Sequence, residues 1–188
     1  IRIESKPTTN DQIRNETKPI NDQIRIESKP INDQSLLAST NEFMPSTGKE
    51  FDGILKYLTS QTGGNIHGNG TIEITSNSII NEKRHPKYLV NYNGEKCFYH
   101  SNNKPDCEIC FDFKNRSVQL TYYSLKSHSS SEYCGHLKNW AIEVSNDKKN
   151  WIEIDRQTDD RSLNGPSFMK VFQVNNPKKE FYRFIRLH

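Results

Sequence analysis

The chain is poor in apolar residues: hydrophobic side chains make up 32% of its 188 residues, and its mean hydropathy is −0.90. Spread evenly, so few hydrophobes could not close a core, so they must be concentrated in part of the chain. No apolar run approaches the ~18 residues that a membrane-spanning helix needs. No charged-then-apolar leader opens the sequence. It begins at Ile1 rather than Met, and a fragment of a longer protein is the expectation. Charge of one sign is lacking too. With 26 basic and 23 acidic residues the net charge is +3, too balanced for the clustered basic footprint of a nucleic-acid binder.

Cysteine is scarce. Of Cys97, Cys107, Cys110 and Cys134, only Cys107 and Cys110 form a C-x-x-C. A zinc site would want a second such pair, or histidines at ligand spacing. Neither occurs, so no metal is expected, and the thiols read as packed side chains. Catalytic signatures are missing as well. Gly63 to Gly70 is glycine-rich but lacks the phosphate-reaching lysine, and there is no H-E-x-x-H or G-x-S-x-G. Asp112, Glu143, Glu153 and Asp155 fall on expected strands, where solvent or a neighbouring strand satisfies them. The expectation is a protein without enzymatic activity or cofactor.

What is present begins with a repeat. Residues 1–34 are three near-copies, IRIESKPTTNDQ, IRNETKPINDQ and IRIESKPINDQ. A period of about eleven residues can mark a right-handed coiled coil. Here Pro7, Pro19 and Pro30 stand inside the copies, and proline in a helix interior costs ~3 kcal/mol. The few apolar side chains per copy cannot offset the entropy of ordering its backbone. A disordered tail is expected, with a repeated docking motif as the alternative. Residues 35–48 read as a linker.

From residue 49 the apolar residues gather. Phe51, Ile54, Leu55 and Leu58 recur at helical spacing and Gly63-Gly64 follows, which predicts one short helix. Beyond it the chain alternates apolar and polar residues in short runs: TIEITS, CEICFDF, SVQLTYYSL, WAIEVS, IEID, FMKVFQV and FYRFIRL. Ile109, Phe111 and Phe113 share a side, as do Val118, Leu120 and Tyr122, and Ile152 and Ile154. Turn clusters such as Asn93-Gly94, Asn146-Asp147 and Asn164-Gly165-Pro166 separate the runs. Many short strands with regular turns predict an all-β sandwich or barrel. Both tryptophans, Trp140 and Trp151, fall on one expected hairpin. Core packing is the main reading for both, and a stacking platform for a sugar is the alternative.

The hairpin residues Trp140, Glu143, Ser145, Asn146, Asp147 and Trp151, together with Arg183, Ile185 and Arg186, resemble the discoidin, or F5/8 type C, domain. The upstream GILKYLTSQTGGN is similar to the version attached to BTB domains in intracellular proteins. The resemblance covers residues 49–188 and implies a jelly-roll β-sandwich that binds rather than catalyses. Secreted relatives join the domain ends by a disulfide. No cysteine stands near either end here, which favours a reducing, cytoplasmic setting. Three N-x-S/T sequons, at Asn15, Asn69 and Asn115, keep an extracellular or cell-surface alternative open. The family also continues past the R-x-I-R strand to a last strand, whereas this sequence stops at His188. A missing C-terminal strand and an open sheet edge are therefore expected.

By loop position, the resemblance implies a ligand rim of Ile79, Ile80, Lys83, Arg84 and His85, of Asn102, Asn103 and Lys104, and of His128, Tyr133 and His136. Aliphatic anchors beside basic residues suit a protein partner or a phospholipid surface. Polar groups beside an aromatic suit a glycan. A protein-binding module of a BTB-type scaffold is the first reading and a carbohydrate- or phospholipid-binding module the alternative.

Overall fold

A computed structural model describes residues 2–5, 40–91, 98–102, 105–129 and 136–188. Along the chain these form β1 (Arg2–Ser5), β2 (Thr40–Glu42), α1 (Ile54–Thr62), β3 (Glu73–Ser76), β4 (Ile109–Asp112), β5 (Arg116–Gln119), β6 (Tyr122–Lys126), β7 (Trp140–Ser145), β8 (Ile152–Gln157), β9 (Met169–Gln173) and β10 (Phe184–Leu187). The fold is an antiparallel β-sandwich. One layer is a five-stranded sheet in the order β3-β4-β10-β7-β8. The other is built from the β6–β9 pair and the three-stranded sheet β2-β1-β5.

Alternation does the sorting. Register places Ile185 between Phe111 and Val144, and Leu187 between Ile109 and Ile142. Residues directly opposite share a sheet face, so these six form the inner surface of the large sheet. The odd-numbered neighbours in β7, Glu143 and Ser145, and Arg186 in β10 take the outer face. Trp140 is only 2% exposed and meets Phe172 of β9 edge-on at 5.1 Å. A large aromatic here lets a hydrophobe-poor chain fill the space between layers.

The layers are also tied by a buried polar chain. Trp140 Nε1 donates to Tyr123 Oη at 2.9 Å, and Tyr123 donates to Asp155 Oδ2 at 2.5 Å. Gln157 Nε2 and the backbone N–H of Asn175 complete the carboxylate's partners. Burial, and then Asp155, push the Tyr123 hydroxyl far above its ordinary range, so it stays a proton donor to the carboxylate.

Helix α1 buries Ile54 and Leu58, four residues apart on one face. Gly63 ends it at φ 71°, donating its N–H to Thr59 O, a conformation that suits glycine.

Three expectations change. The run SVQLTYYSL is two strands rather than one: β5 and β6 lie in different sheets. The break falls at Leu120–Thr121, where Thr121 O accepts from Val174 N and the chain passes from the β2-β1-β5 sheet to the β6–β9 pair. Ile152, expected to share a buried face with Ile154, is 41% exposed. It lies on the edge strand β8, and the β7–β8 ladder slips at Ile142/Glu143, a bulge that breaks the alternation. The structureless tail expected over residues 1–34 does not hold at Arg2–Ser5, which pair with both β2 and β5. Backbone bonding on two sides supplies there what the few apolar side chains do not. The rest of that stretch lies outside the described residues. β5 is paired on both sides, with β1 on one and Tyr182 on the other.

Candidate functional site

Three loops meet at one place. The first leaves β3. Asn77 Nδ2 donates to Asp106 O, and Asn77 Oδ1 accepts from Glu108 N. Buried Ser78 accepts the N–H of Asn102 on its hydroxyl at 3.0 Å, while Asn102 Nδ2 donates to Ile79 O at 3.1 Å. Further along, Ile80 N donates to His100 O and His100 N to Arg84 O. Residues 78–84 and 98–102 are thus laced together by backbone and side-chain bonds, much as a short ladder would do. Asn81 starts a 3-10 turn over Glu82–Arg84 by accepting the N–H of Lys83.

That turn aims Arg84. Its guanidinium lies over the Phe98 ring, 3.8 Å from the centroid, a cation–π contact. The imidazole of His128 meets the same ring edge-on, and His100 lies 6.4 Å from it. The third loop is fixed from behind. His128 O accepts from Ser167 N, Ser127 N donates to Phe168 O, and Phe168 N returns a bond to Ser127 Oγ. Gly165 O accepts from Ser127 Oγ at 2.5 Å, and the exposed Phe168 ring packs over the glycine.

Burial first, then Arg84, His100 and His136, hold His128 below the ordinary histidine range. At neutral pH it is therefore an uncharged imidazole, donor on one nitrogen and acceptor on the other. His136 presents a buried Nε2 that has no partner among the described residues.

Of the residues expected at the rim, the structure gathers Arg84 and His128 around Phe98, with Ile79 and Ile80 on the loop that carries Arg84, and Asn102 tied to that loop through Ser78 and Ile79. Lys83 is exposed. His85 serves a different purpose: its Nδ1 accepts from Lys87 N, and its ring faces His67 at 5.5 Å. Asn103, Lys104 and Tyr133 lie outside the described residues. Phe98 and His100 were not anticipated. The signal was the aromatic trio Phe98-Tyr99-His100 between two turn clusters. Tyr99 is structural, its hydroxyl donating to Ser78 O at 2.7 Å.

Two other features are separate from the rim. An apolar pocket of about 180 Å³ lies against the inner sheet face, lined by Phe43, Phe51, Leu55, Phe111, Tyr123 and Ile142 among others, none of them a rim residue. Cys107 and Cys110 do not form a centre. Cys110 is buried beneath the outer face and its thiol is pushed up to about 11 by burial, while Cys107 reaches Asn102 O. Among the described residues no group of three or more metal-ligating side chains is placed to hold an ion.

No family model matches the chain, and no curated protein matches it. Among solved structures it is similar to CpGH89CBM32-5 from Clostridium perfringens, solved in complex with GalNAc-β-1,3-galactose, at 17% identity over 63% of this chain and 83% of that one, TM-score 0.49. It is similar also to the C-terminal domain of a chitobiase from Bacteroides fragilis, at 20% identity over 62% and 79%, TM-score 0.46. A third is chitosan-binding module 2, in complex with chitotriose, of a chitosanase/glucanase from Paenibacillus sp. IK-5, at 13% identity over 62% and 82%, TM-score 0.42. At such identities and scores the ligands of those modules carry no argument for this chain.

Proposed function

We propose that the chain is a non-enzymatic carbohydrate-binding module whose ligand is held at the loop rim by Arg84, Phe98, His100, Asn102 and His128. The observation that carries this reading is the convergence of three loops, distant in sequence, on one aromatic ring. A sugar offers apolar C–H faces and hydroxyls that both donate and accept. An oriented ring beside planar donors answers the first, and a neutral imidazole the second. Loops anchored from behind by Ser78, Ser127 and Gly165 would hold these groups before the ligand arrives, which lowers the ordering cost of binding.

A glycan array with the chain and its Phe98→Ala variant tests the proposal. The expected outcome is binding to one glycan class, abolished in the variant while the melting curve is kept. Silence towards every neutral and sialylated glycan at millimolar ligand would sink it. A second reading is favoured by Ile80, 46% exposed on the rim loop, and Leu89, 39% exposed on the 3-10 turn Pro86–Val90 that follows it in the chain. They suit the anchor of a protein partner, and the discoidin resemblance, with a cytoplasmic BTB-type scaffold, belongs to that reading. Ile80→Ser with Leu89→Ser should then abolish partner capture and leave glycan binding intact.

A further inference from the structure

Two histidines outside the rim are held in the same way. His67 lies in the loop between α1 and β3, and its Nδ1 accepts the N–H of Ile74 at 3.0 Å. His85 opens the 3-10 turn Pro86–Val90, and its Nδ1 accepts the N–H of Lys87 at 3.0 Å. A neutral imidazole carries one proton, and the hydrogen bond made by one nitrogen decides where that proton sits. With both Nδ1 atoms accepting, both protons are on Nε2. Each Nε2–H therefore points away from the backbone that holds its ring. The rings are neighbours, with centroids 5.5 Å apart and planes at 46°. Asn65 fixes one loop against the other. Its Oδ1 accepts from the N–H groups of His67 and Gly68, and its Nδ2 donates to Lys87 O at 2.7 Å.

The charges around His67 are Lys87, Lys114 and a single acid, Glu73, with His85 beside them. Glu73 is bonded to Lys114, so those two offset each other. Lys87 is not offset. Its ammonium lies over the Tyr88 ring, 5.3 Å from the centroid, and makes no ion pair among the described residues.

We propose that His67, His85 and Lys87 bind one tetrahedral oxyanion, a sulfate or phosphate group, at a site separate from the glycan rim. Ring centres 5.5 Å apart are close enough for a single small ion to take a bond from each. All three groups offer N–H donors and none offers an acceptor. A fully ionised oxyanion satisfies them all, and bonds to it are charge-assisted. A sugar hydroxyl fits less well, because nothing here accepts its proton. A metal ion is the other ligand that a histidine pair suggests, and the tautomers exclude it. Each Nδ1 lone pair is spent on a backbone N–H, and each Nε2 carries the proton.

The test uses the full chain at about pH 7.5, above the ordinary histidine range, in a buffer free of both ions. Nitrogen-15 NMR should show His67 and His85 as Nε2–H tautomers. Inorganic sulfate and inorganic phosphate, titrated separately, should shift both Nε2 resonances along one saturable millimolar curve. His67→Asn and His85→Asn each keep an acceptor where Nδ1 was and remove the Nε2–H. Each should hold the thermal midpoint within about 2 °C and weaken binding roughly tenfold or more, as loss of a hydrogen bond to a charged group does. Lys87→Gln leaves both backbone bonds in place and should weaken binding as well, which keeps the reading secure if an Asn variant melts lower. The rim variant Phe98→Ala should leave both inorganic-ion curves unchanged, so failure of the rim and failure of this site are told apart. Repeating the titration with a sulfated and a phosphorylated monosaccharide tells which ester the site takes. An Nδ1–H tautomer at either ring would overturn the proposal, and so would capture of zinc chloride by the pair in preference to sulfate. Sulfate shifts of equal size at the exposed turn residues Lys148 and Lys149 would mean general charge screening and no site.

Discussion

The two faces of the five-stranded sheet are held by different physics, and each carries one of the two tryptophans. On the inner face Trp140 packs among Ile142, Phe172 and the other core side chains. On the outer face Trp151 lies beneath the guanidinium of Arg186, 4.1 Å from its ring centroid, and donates from Nε1 to Lys148 O. Arg186 also pairs with Glu143 at 2.6 Å and with Glu108 at 2.9 Å. Beside this cluster Arg183 grips Asp112 with two bonds, at 2.7 and 2.8 Å. Lys114 joins Asp112 to Glu73. Phe184 lies under Arg183 and near Lys148. A chain with few hydrophobes covers one face by apolar burial. It covers the other with a lattice of charges whose planar and aliphatic parts shield the sheet from water.

The comparison breaks most sharply at Trp140. Trp140→Ala should cost ~3–5 kcal/mol in denaturant unfolding, like other large-to-small core changes, and much of the stability of a marginal domain could go with it. Trp140→Phe keeps most of the volume and loses the bond to Tyr123, so its cost should be smaller. A folded Trp140→Ala protein of nearly parental stability would mean that the inner face is not what holds the sandwich together.

On the outer face the largest effect belongs to Asp112. Its side chain is 6% exposed, against 43% for Arg183. Burial pushes its carboxyl up, but the Arg183 bonds and the Lys114 N–H outweigh it, so the group stays below the usual carboxylate range. Asp112→Ala should cost ~1–3 kcal/mol, less than for a fully buried pair because water screens half of Arg183. The sign of the pH effect follows. A depressed carboxyl contributes stability above its unfolded value that is lost as pH falls through the folded one. The parent should therefore lose stability with acid below about pH 4, and the variant should lose less over that window. Trp151→Ala, by contrast, removes an exposed cation–π contact and should cost about 1 kcal/mol. An equal cost at Trp140 and Trp151 would erase the distinction between the faces.

The inner face was legible and the outer face largely was not. Alternation alone locates β3, β4, β7 and β10, because a half-buried strand must repeat every second residue. The same rule misjoins β5 and β6, whose break depends on Thr121 finding Val174 from far along the chain. The ion lattice depends on register, which sets Arg186 opposite Glu143 and Phe184 opposite Asp112, and so brings Arg183 beside that carboxylate. Spacing along the sequence cannot give it. The rim divides the same way. Arg84, Asn102 and His128 stand in loops that turn residues reveal. Phe98 joins them, and His85 leaves them for His67, through contacts that only the packed sandwich creates.

The smallest effect concerns those histidines. Burial, then neighbouring His85, lowers His67 below the ordinary histidine range, as burial and Arg84 lower His128. An unfolded chain therefore takes up protons at both sites before the native one does. Stability rises with pH wherever the unfolded state binds more protons, so it should sag as pH falls from about 7.5 to about 5.5, above the window in which Asp112 titrates. Both groups are largely solvated, and the sag should be no more than a few tenths of a kcal/mol for each. It should vanish in His67→Gln with His128→Gln, measured as midpoint against pH at constant ionic strength. If the double variant keeps the slope, the titrating groups lie elsewhere, and His128 is not the neutral donor–acceptor that the rim needs. If His128→Gln alone flattens most of the slope and also weakens glycan binding, the rim is the pH-sensitive part of this molecule, and acid should release the ligand before it unfolds the sheet.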